Sequence, residues 1–191
     1  MAMTNVYTGA NGVLLFGADT SPARKPEGDD AQALLDAAIY DLFEVGRVSG
    51  VEIYVQTELE EFHEIGRRHS TSLHPGNIHI SGKISRAYIN GALLFLLLGR
   101  GANPNNIDEP YVQPALLMNV VLQDPAVPST RSVLTLEGVK FENWAFAVPE
   151  DDFVMENVTF KALRIRVQDE EATTPGGARN VKLPSFPESS A

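Results

Sequence analysis

The run from Ala92 to Leu98 reads ALLFLLL, a short helix-forming stretch that is apolar on every side. A helix with no polar face has to be buried, in its own fold or against another chain. It follows a charged, Gly- and His-rich connector, Glu60 to Gly76, and an alternating stretch from Ile78 to Tyr88. Asn90 is placed to cap the helix and Gly99 to end it, so the helix, taken as Ile89 to Leu98, is ~13–15 Å long. The region carries no catalytic or metal signature. Surface that needs covering, with no chemistry beside it, points to assembly rather than turnover.

Composition narrows the class. The chain has 191 residues, 43% of them apolar, enough for one domain with an ordinary core. It has no cysteine, which excludes disulfides and thiolate metal sites and makes a reducing site of synthesis the natural one. The net charge of −10 argues against binding nucleic acid by phosphate neutralisation. It is compatible with a conduit whose like-charged wall repels phosphates, and equally with plain solubility. The longest apolar run falls short of the roughly 20 residues of a membrane span. MAMTNVYTGANGVLLF lacks the basic start of a secretory signal. A soluble protein with no membrane insertion is expected.

The chain reads as mainly β. Gly12 to Ala18 forms a first strand, and Thr20 to Asp30 is loop-like. Asp29 with Gln32 resembles a capping box, which places a short helix near Asp30 to Ala38, followed by a strand from Glu44. Val51, Ile53 and Val55 alternate with Glu52, Tyr54 and Gln56, the pattern of a half-buried strand. Leu59 to Ile65 pairs with it as a hairpin or projects as an arm, and Gly66 to Gly76 has loop chemistry. Ile78, Ile80, Ile84 and Tyr88 share one strand face, with His79, Ser81, Lys83 and Ser85 on the other. Gly82 on the apolar face marks a bulge or a close backbone approach. Gly99 to Pro114 is a long polar loop, and Ala115 to Leu122 a strand covered on both faces. Ser132 to Val148 splits near Gly138, with Trp144 and Phe146 read as core. From Phe153 to Asp169 the phase changes: Val158, Phe160 and Ala162 lie on one face, Leu163, Ile165 and Val167 on the other. Such a strand contains a bulge or exchanges packing partners. The expected architecture is a β-sandwich or barrel with one flanking α-helix.

Few residues carry candidate chemistry. His63, His69, His74 and His79 lie in one segment, without the helical spacing or HExxH pattern of a metal site. Glu60, Glu61, Glu64, Arg67, Arg68 and His69 form a charge run. It is read either as a solvated loop or as cross-subunit pairing that fixes register between copies. Pro149-Glu150-Asp151-Asp152 lacks the spaced ligands of a calcium loop and reads as a turn between strands. No catalytic residue, metal or cofactor is expected.

Two stretches carry a family resemblance: VEIYVQTELEEFHEIGRRHSTSLHPGNIHISGKISRAYINGALLFLLLG and GVKFENWAFAVPEDDFVMENVTFKALRIRV. In that order they resemble tail tube proteins of tailed bacteriophages, a fold shared with type VI secretion tube proteins. The resemblance implies a β-sandwich domain over residues 1–171 with an N-terminal arm, a bridging loop at about 59–77 and a flexible or externally bound tail, 172–191. It implies hexameric rings whose strands join in a continuous inner β-barrel, stacked into the hollow tube through which phage DNA passes. Glu60, Glu61, Glu64, Arg67, Arg68 and His69 would then lie between subunits, and Leu93, Leu94, Phe95 and Leu97 in the flanking helix. Further copies of the chain are the implied partners, with sheath, baseplate or tail-tip and terminator proteins. The implied location is the virion tail, assembled in the host cytoplasm. A tube of a contractile injection or secretion device is the alternative, and a small metal-binding β-barrel or enzyme built on the His-rich loop is another.

Overall fold

A computed structural model describes residues 7–36, 45–102, 113–124, 130–172 and 179–182. Eight strands and two α-helices follow in the order β1 (Gly12–Ala18), α1 (Lys25–Leu35), β2 (Val48–Phe62), β3 (Ser72–Ala87), α2 (Ala92–Leu98), β4 (Leu116–Gln123), β5 (Thr130–Ala147), β6 (Met155–Ala162), β7 (Arg164–Ala172) and β8 (Arg179–Lys182). The mainly β architecture with α2 packed on it is the expected class. α1 is a second helix. It begins at Lys25, inside the stretch read as loop, because Pro26 in the first turn has its φ preset for a helix start. Asp29 is therefore interior to the helix and not its cap. α1 ends at Leu35 with Asp36 as its C-cap, short of the expected Ala38, and the strand expected from Glu44 begins only at Val48, after a turn at 46–47. Residues 37–44, 103–112 of the polar loop and 1–6 of the N-terminal arm lie outside the described residues.

Strands β5, β6 and β7 form one long antiparallel hairpin that serves two sheets. The outer half of β5 pairs with β7, from Thr130 opposite Glu171 to Glu137 opposite Arg164. The inner half pairs with β6, from Lys140 opposite Lys161 to Ala147 opposite Met155. Between the halves lie Gly138, at φ +63°, and Leu163. The Leu163 N–H still donates to Glu137 O at 3.0 Å, so the ladder bends without opening. One sheet runs β1-β4-β5-β7-β8, and the other runs β5-β6-β3-β2. This is the phase change read between Phe160 and Leu163. Val158 and Phe160 are buried, whereas Leu163 and Val167 are exposed.

Asp19 holds the bend from outside. Its carboxylate accepts from the Gly138 N–H (3.0 Å), from Arg24 Nε (2.7 Å) and from the Ser21 N–H (3.2 Å). Burial alone would raise its pKa, but the hydrogen bonds from Arg24 and Ser21, with the charge of Arg24, hold it below the ordinary carboxylate value.

The core fills the space between the two sheets and α2. Leu14, Phe16, Met118 and Leu136 come from one sheet, Ile80, Ile84, Val158 and Phe160 from the other, and Leu93 and Leu96 from the helix. Leu94, Phe95 and Leu97 are half-buried, so α2 covers its apolar surface largely within the chain, and only Leu98 is exposed. Asn90 Oδ1 accepts from the Ala92 N–H at 3.3 Å, and Gly99 closes the helix at φ +58°. The segment expected as a tail is described at Ala172, which ends β7, and at Arg179–Lys182, which is β8, paired with β7.

Gly82 makes the close approach expected of it. A Cβ there would fall 2.3 Å from Phe160 Cζ and 2.3 Å from the carbonyl oxygen of Glu52. Gly82→Ala is expected to cost about 1–3 kcal/mol, read as a lower urea midpoint with an unchanged slope. Asp19→Asn tests the clasp. Because the folded-state pKa of Asp19 is depressed, its contribution is complete above the unfolded-state value and lost as pH falls through the folded one. The stability gap between wild type and Asp19→Asn is therefore expected to be full at neutral pH and to close below about pH 4. A gap independent of pH would contradict the assignment.

Candidate inter-subunit interface

Along β2 the odd positions Val51, Ile53, Val55 and Leu59 share a face with Ile84, Gly82, Ile80, Ile78 and Leu73 of β3. The even positions Glu52, Tyr54 and Gln56 share the opposite face with Lys83, Ser81 and His79. β6 joins β3 only from Ile80 onward. Beyond that point β2 and β3 continue as a two-stranded hairpin, Thr57–Phe62 with Ser72–Ile78, that no third described strand supports. The segment expected as a bridging loop is thus mostly strand, and only 63–71 is loop. Pro75 is tolerated in β3 because it sits on this unsupported extension, next to the irregularity between Thr57 and Leu59. The apolar face of the main sheet runs out along the hairpin with nothing over it: Val55, Leu59, Leu73 and Ile78 are all exposed.

The charge run sits at the far end of this hairpin. Glu60 and Glu61 lie just before the end of β2, opposite His74 and Leu73. Glu64, Arg67, Arg68 and His69 line an open recess at the tip with Ser70 and Thr71. Arg67 Nε lies 3.3 Å from Glu64 Oε2, and His63 lies 3.2 Å from Glu61. All of these groups are exposed, as a solvated loop or an unoccupied contact surface would be. The histidines do not converge: His79 meets Glu58 at 3.1 Å, while His74 meets Ser72. Among the described residues no group of three or more His, Cys, Asp or Glu is placed to hold a metal ion.

The face of the β5-β6-β3-β2 sheet that turns away from the core is mostly polar, with Ala87, Ala145, Ala147 and Met155 at the end opposite the hairpin. Glu52 stands opposite Lys83, and Lys161 bonds Glu142 at 2.6 Å. Ser85 donates to Asn157 and Tyr54 to Glu52, both at 2.6 Å. The hydrogen bond to Glu52 is the main reason that the Tyr54 hydroxyl has a raised pKa. Charges on this face balance, so the acidity of the chain is not concentrated there. Two edges of the sheet lack a partner among the described residues: the outer side of β2 and the inner half of β5 past Phe141.

At the end of the sheet opposite the hairpin lies a feature that sequence reading took for core. Trp144 stacks on Phe146 with ring centroids 5.5 Å apart, and Tyr88 meets Phe146 edge-on at 4.8 Å. Trp144 is half-buried, but Phe146, Val148 and Phe153 are exposed. Beneath them Arg86 Nε donates to Glu156 Oε1 at 2.5 Å, and Trp144 Nε1 to Glu156 Oε2 at 2.9 Å. Arg86 is 3% and Glu156 0% exposed. Both were legible in principle, since each falls in phase with an apolar strand face, Ile80-Gly82-Ile84-Arg86 and Glu156-Val158-Phe160.

No protein-family model matches the chain, and no curated protein is significantly similar to it. Solved structures share its fold. A chain of the sheath/tube terminator of PVC, an extracellular contractile injection system, in the extended state superposes with a TM-score of 0.58 at 10% identity, over 87% of this chain and 99% of that one. A chain of the PVC sheath-tube complex gives 0.56 at 10% identity, over 87% and 94%. The SPP1 tail tube gives 0.51 at 10% identity, over 85% and 78%. The fold is therefore of the class found in tail tubes and contractile injection systems, as the sequence resemblance implied. Among the described residues no helix is long and apolar enough to cross a membrane.

Glu156→Ala is expected to cost about 3–5 kcal/mol, because it strands the buried Arg86 charge. The double replacement Arg86→Met with Glu156→Leu should recover most of that loss in thermal unfolding. A double variant no more stable than the single would show that the pair is not the source.

Proposed function

We propose that this chain is the structural subunit of a hollow tube, with copies closing into hexameric rings and rings stacking along an axis. The observation that carries the reading is the β5-β6-β3-β2 sheet, which has a core face, a mostly polar face and two edges unpaired among the described residues. Exposed strand edges are templates for pairing, and a closed ring removes them. The outer edge of β2 in one copy would pair with the free half of β5 in the next, so that the sheets run on as one inner barrel with the polar face toward the lumen. A charge-balanced polar lining neither binds phosphates through cations nor offers an apolar surface to adhere to. That suits the passage of DNA in a phage tail.

The hairpin reaches beyond its own domain and would bridge to another copy. Glu60, Glu61, Glu64, Arg67, Arg68 and His69 stand at its tip as the candidate contact set, and α2 flanks the barrel. The domain would span residues 1–171 with the segment that follows at its edge. The reading requires no catalytic group and no cofactor. The location would be the virion tail after assembly in the host cytoplasm, with sheath, baseplate and terminator proteins as partners. The likeness to PVC chains keeps a second reading beside this one: the same subunit in the tube of a contractile injection device.

Thr57 and Ile78 are register partners, so Glu58–Asn77 can be replaced by a two-residue Asn-Gly turn. The shortened chain is expected to keep the circular dichroism of the parent but to form no filaments in negative stain, whereas the parent forms hollow tubes of constant width. Tubes of normal length from the shortened chain would contradict the bridging role.

A further inference from the structure

The two ends of the β5-β6-β3-β2 sheet carry exposed surfaces that differ in charge. The hairpin tip presents Arg67 and Arg68, with Ile65 fully exposed between them and the strand. Arg67 shares Glu64, while Arg68 has no ion-pair partner among the described residues. At the other end, the turn from β5 to β6 presents Glu150, Asp151 and Asp152 without a cation partner among the described residues, beside Val148 and a 78% exposed Phe153. The register fixes the polarity: Phe62 faces Ser72 at the tip, and Ala87 faces Met155 at the far end. β3 spans the distance between them, roughly 50 Å at strand rise. Each end carries exposed apolar side chains beside charge: the turn is acidic throughout, whereas the tip sets Arg67 and Arg68 beside Glu60, Glu61 and Glu64.

We propose that the hairpin tip of one copy docks on the 148–153 turn of a copy in the next ring, so that Arg67 and Arg68 meet Glu150, Asp151 and Asp152 while Ile65 packs against Phe153. The inference rests on the tube reading above and names the partner surface of the hairpin. Such a contact is heterologous: the two patches differ and lie at opposite ends of one molecule, so it propagates in one direction without closing. Stacking of that kind makes a filament. The charges select the pairing and its register, and the apolar anchors supply buried area.

Charge exchange in the full chain tests it. Arg67→Glu with Arg68→Glu, and separately Glu150→Lys with Asp151→Lys and Asp152→Lys, are expected to cut pelletable filaments about tenfold at low salt while circular dichroism stays unchanged. Combining both sets in one chain restores the pairing with signs exchanged and is expected to return filaments to within about twofold of wild type. Ile65→Ser and Phe153→Ser should each shorten filaments without altering the salt dependence. Normal filaments from either charge set alone, or no recovery in the combined chain, would overturn the docking while leaving the tube reading intact. A wild-type chain that forms no rings or tubes would overturn the tube reading and this contact with it.

Discussion

The bend at Gly138 and Leu163 is the constraint on which the rest of the molecule depends. It lets one continuous hairpin, β5 with β6 and β7, belong to two sheets at once, so that the sheets can face each other across a shared core. Glycine is required there for two reasons. Its φ is +63°, and a Cβ would fall 2.7 Å from Leu163 Cδ1. The Asp19 carboxylate then takes up the Gly138 N–H that the bend turns outward, and so ties the segment before α1 to the middle of β5. Shifting the pairing by one residue would bring every side chain beyond the bend to the wrong face.

From that geometry the proposed interface follows. Because β5 leaves the second sheet at the bend, its inner half keeps one edge free, and because β2 lies outermost, the sheet has a free edge on the other side as well. Its faces are already divided, apolar inward and polar outward. The hairpin prolongs this division past the limit of the core, which is why Val55, Leu59 and Ile78 are apolar in phase and yet uncovered. Isolated two-stranded hairpins are marginal in water. In the proposed assembly such a hairpin would gain its support from what it docks on.

Much of the fold was legible in the sequence because alternation survives packing. β1 lies at the expected Gly12–Ala18, the alternation of Val51–Gln56 holds, and the phase change after Ala162 is a real exchange of partners. Other features were hidden for physical reasons. Periodicity reports which face is apolar, not what covers it, so Phe146 reads as core although it is exposed. Pro75 and Gly76 read as loop because strand rules presume neighbours on both sides, which this extension lacks. The start of α1 was masked by the charge and proline content of its first turn. The charged cluster was visible as a run, but its position at the tip of a hairpin, at the opposite end of the sheet from Glu150, Asp151 and Asp152, emerges only from the register.

The central claim is that copies of this chain complete one another's sheets. A side-chain-resolution cryo-EM reconstruction of the assembled protein tests it most directly. The account predicts backbone hydrogen bonds between the outer edge of β2 and the free half of β5 in the neighbouring subunit, with Glu52, Lys83 and Lys161 facing the lumen. An assembly in which both edges face solvent, or a protein that stays monomeric at millimolar concentration, would contradict it.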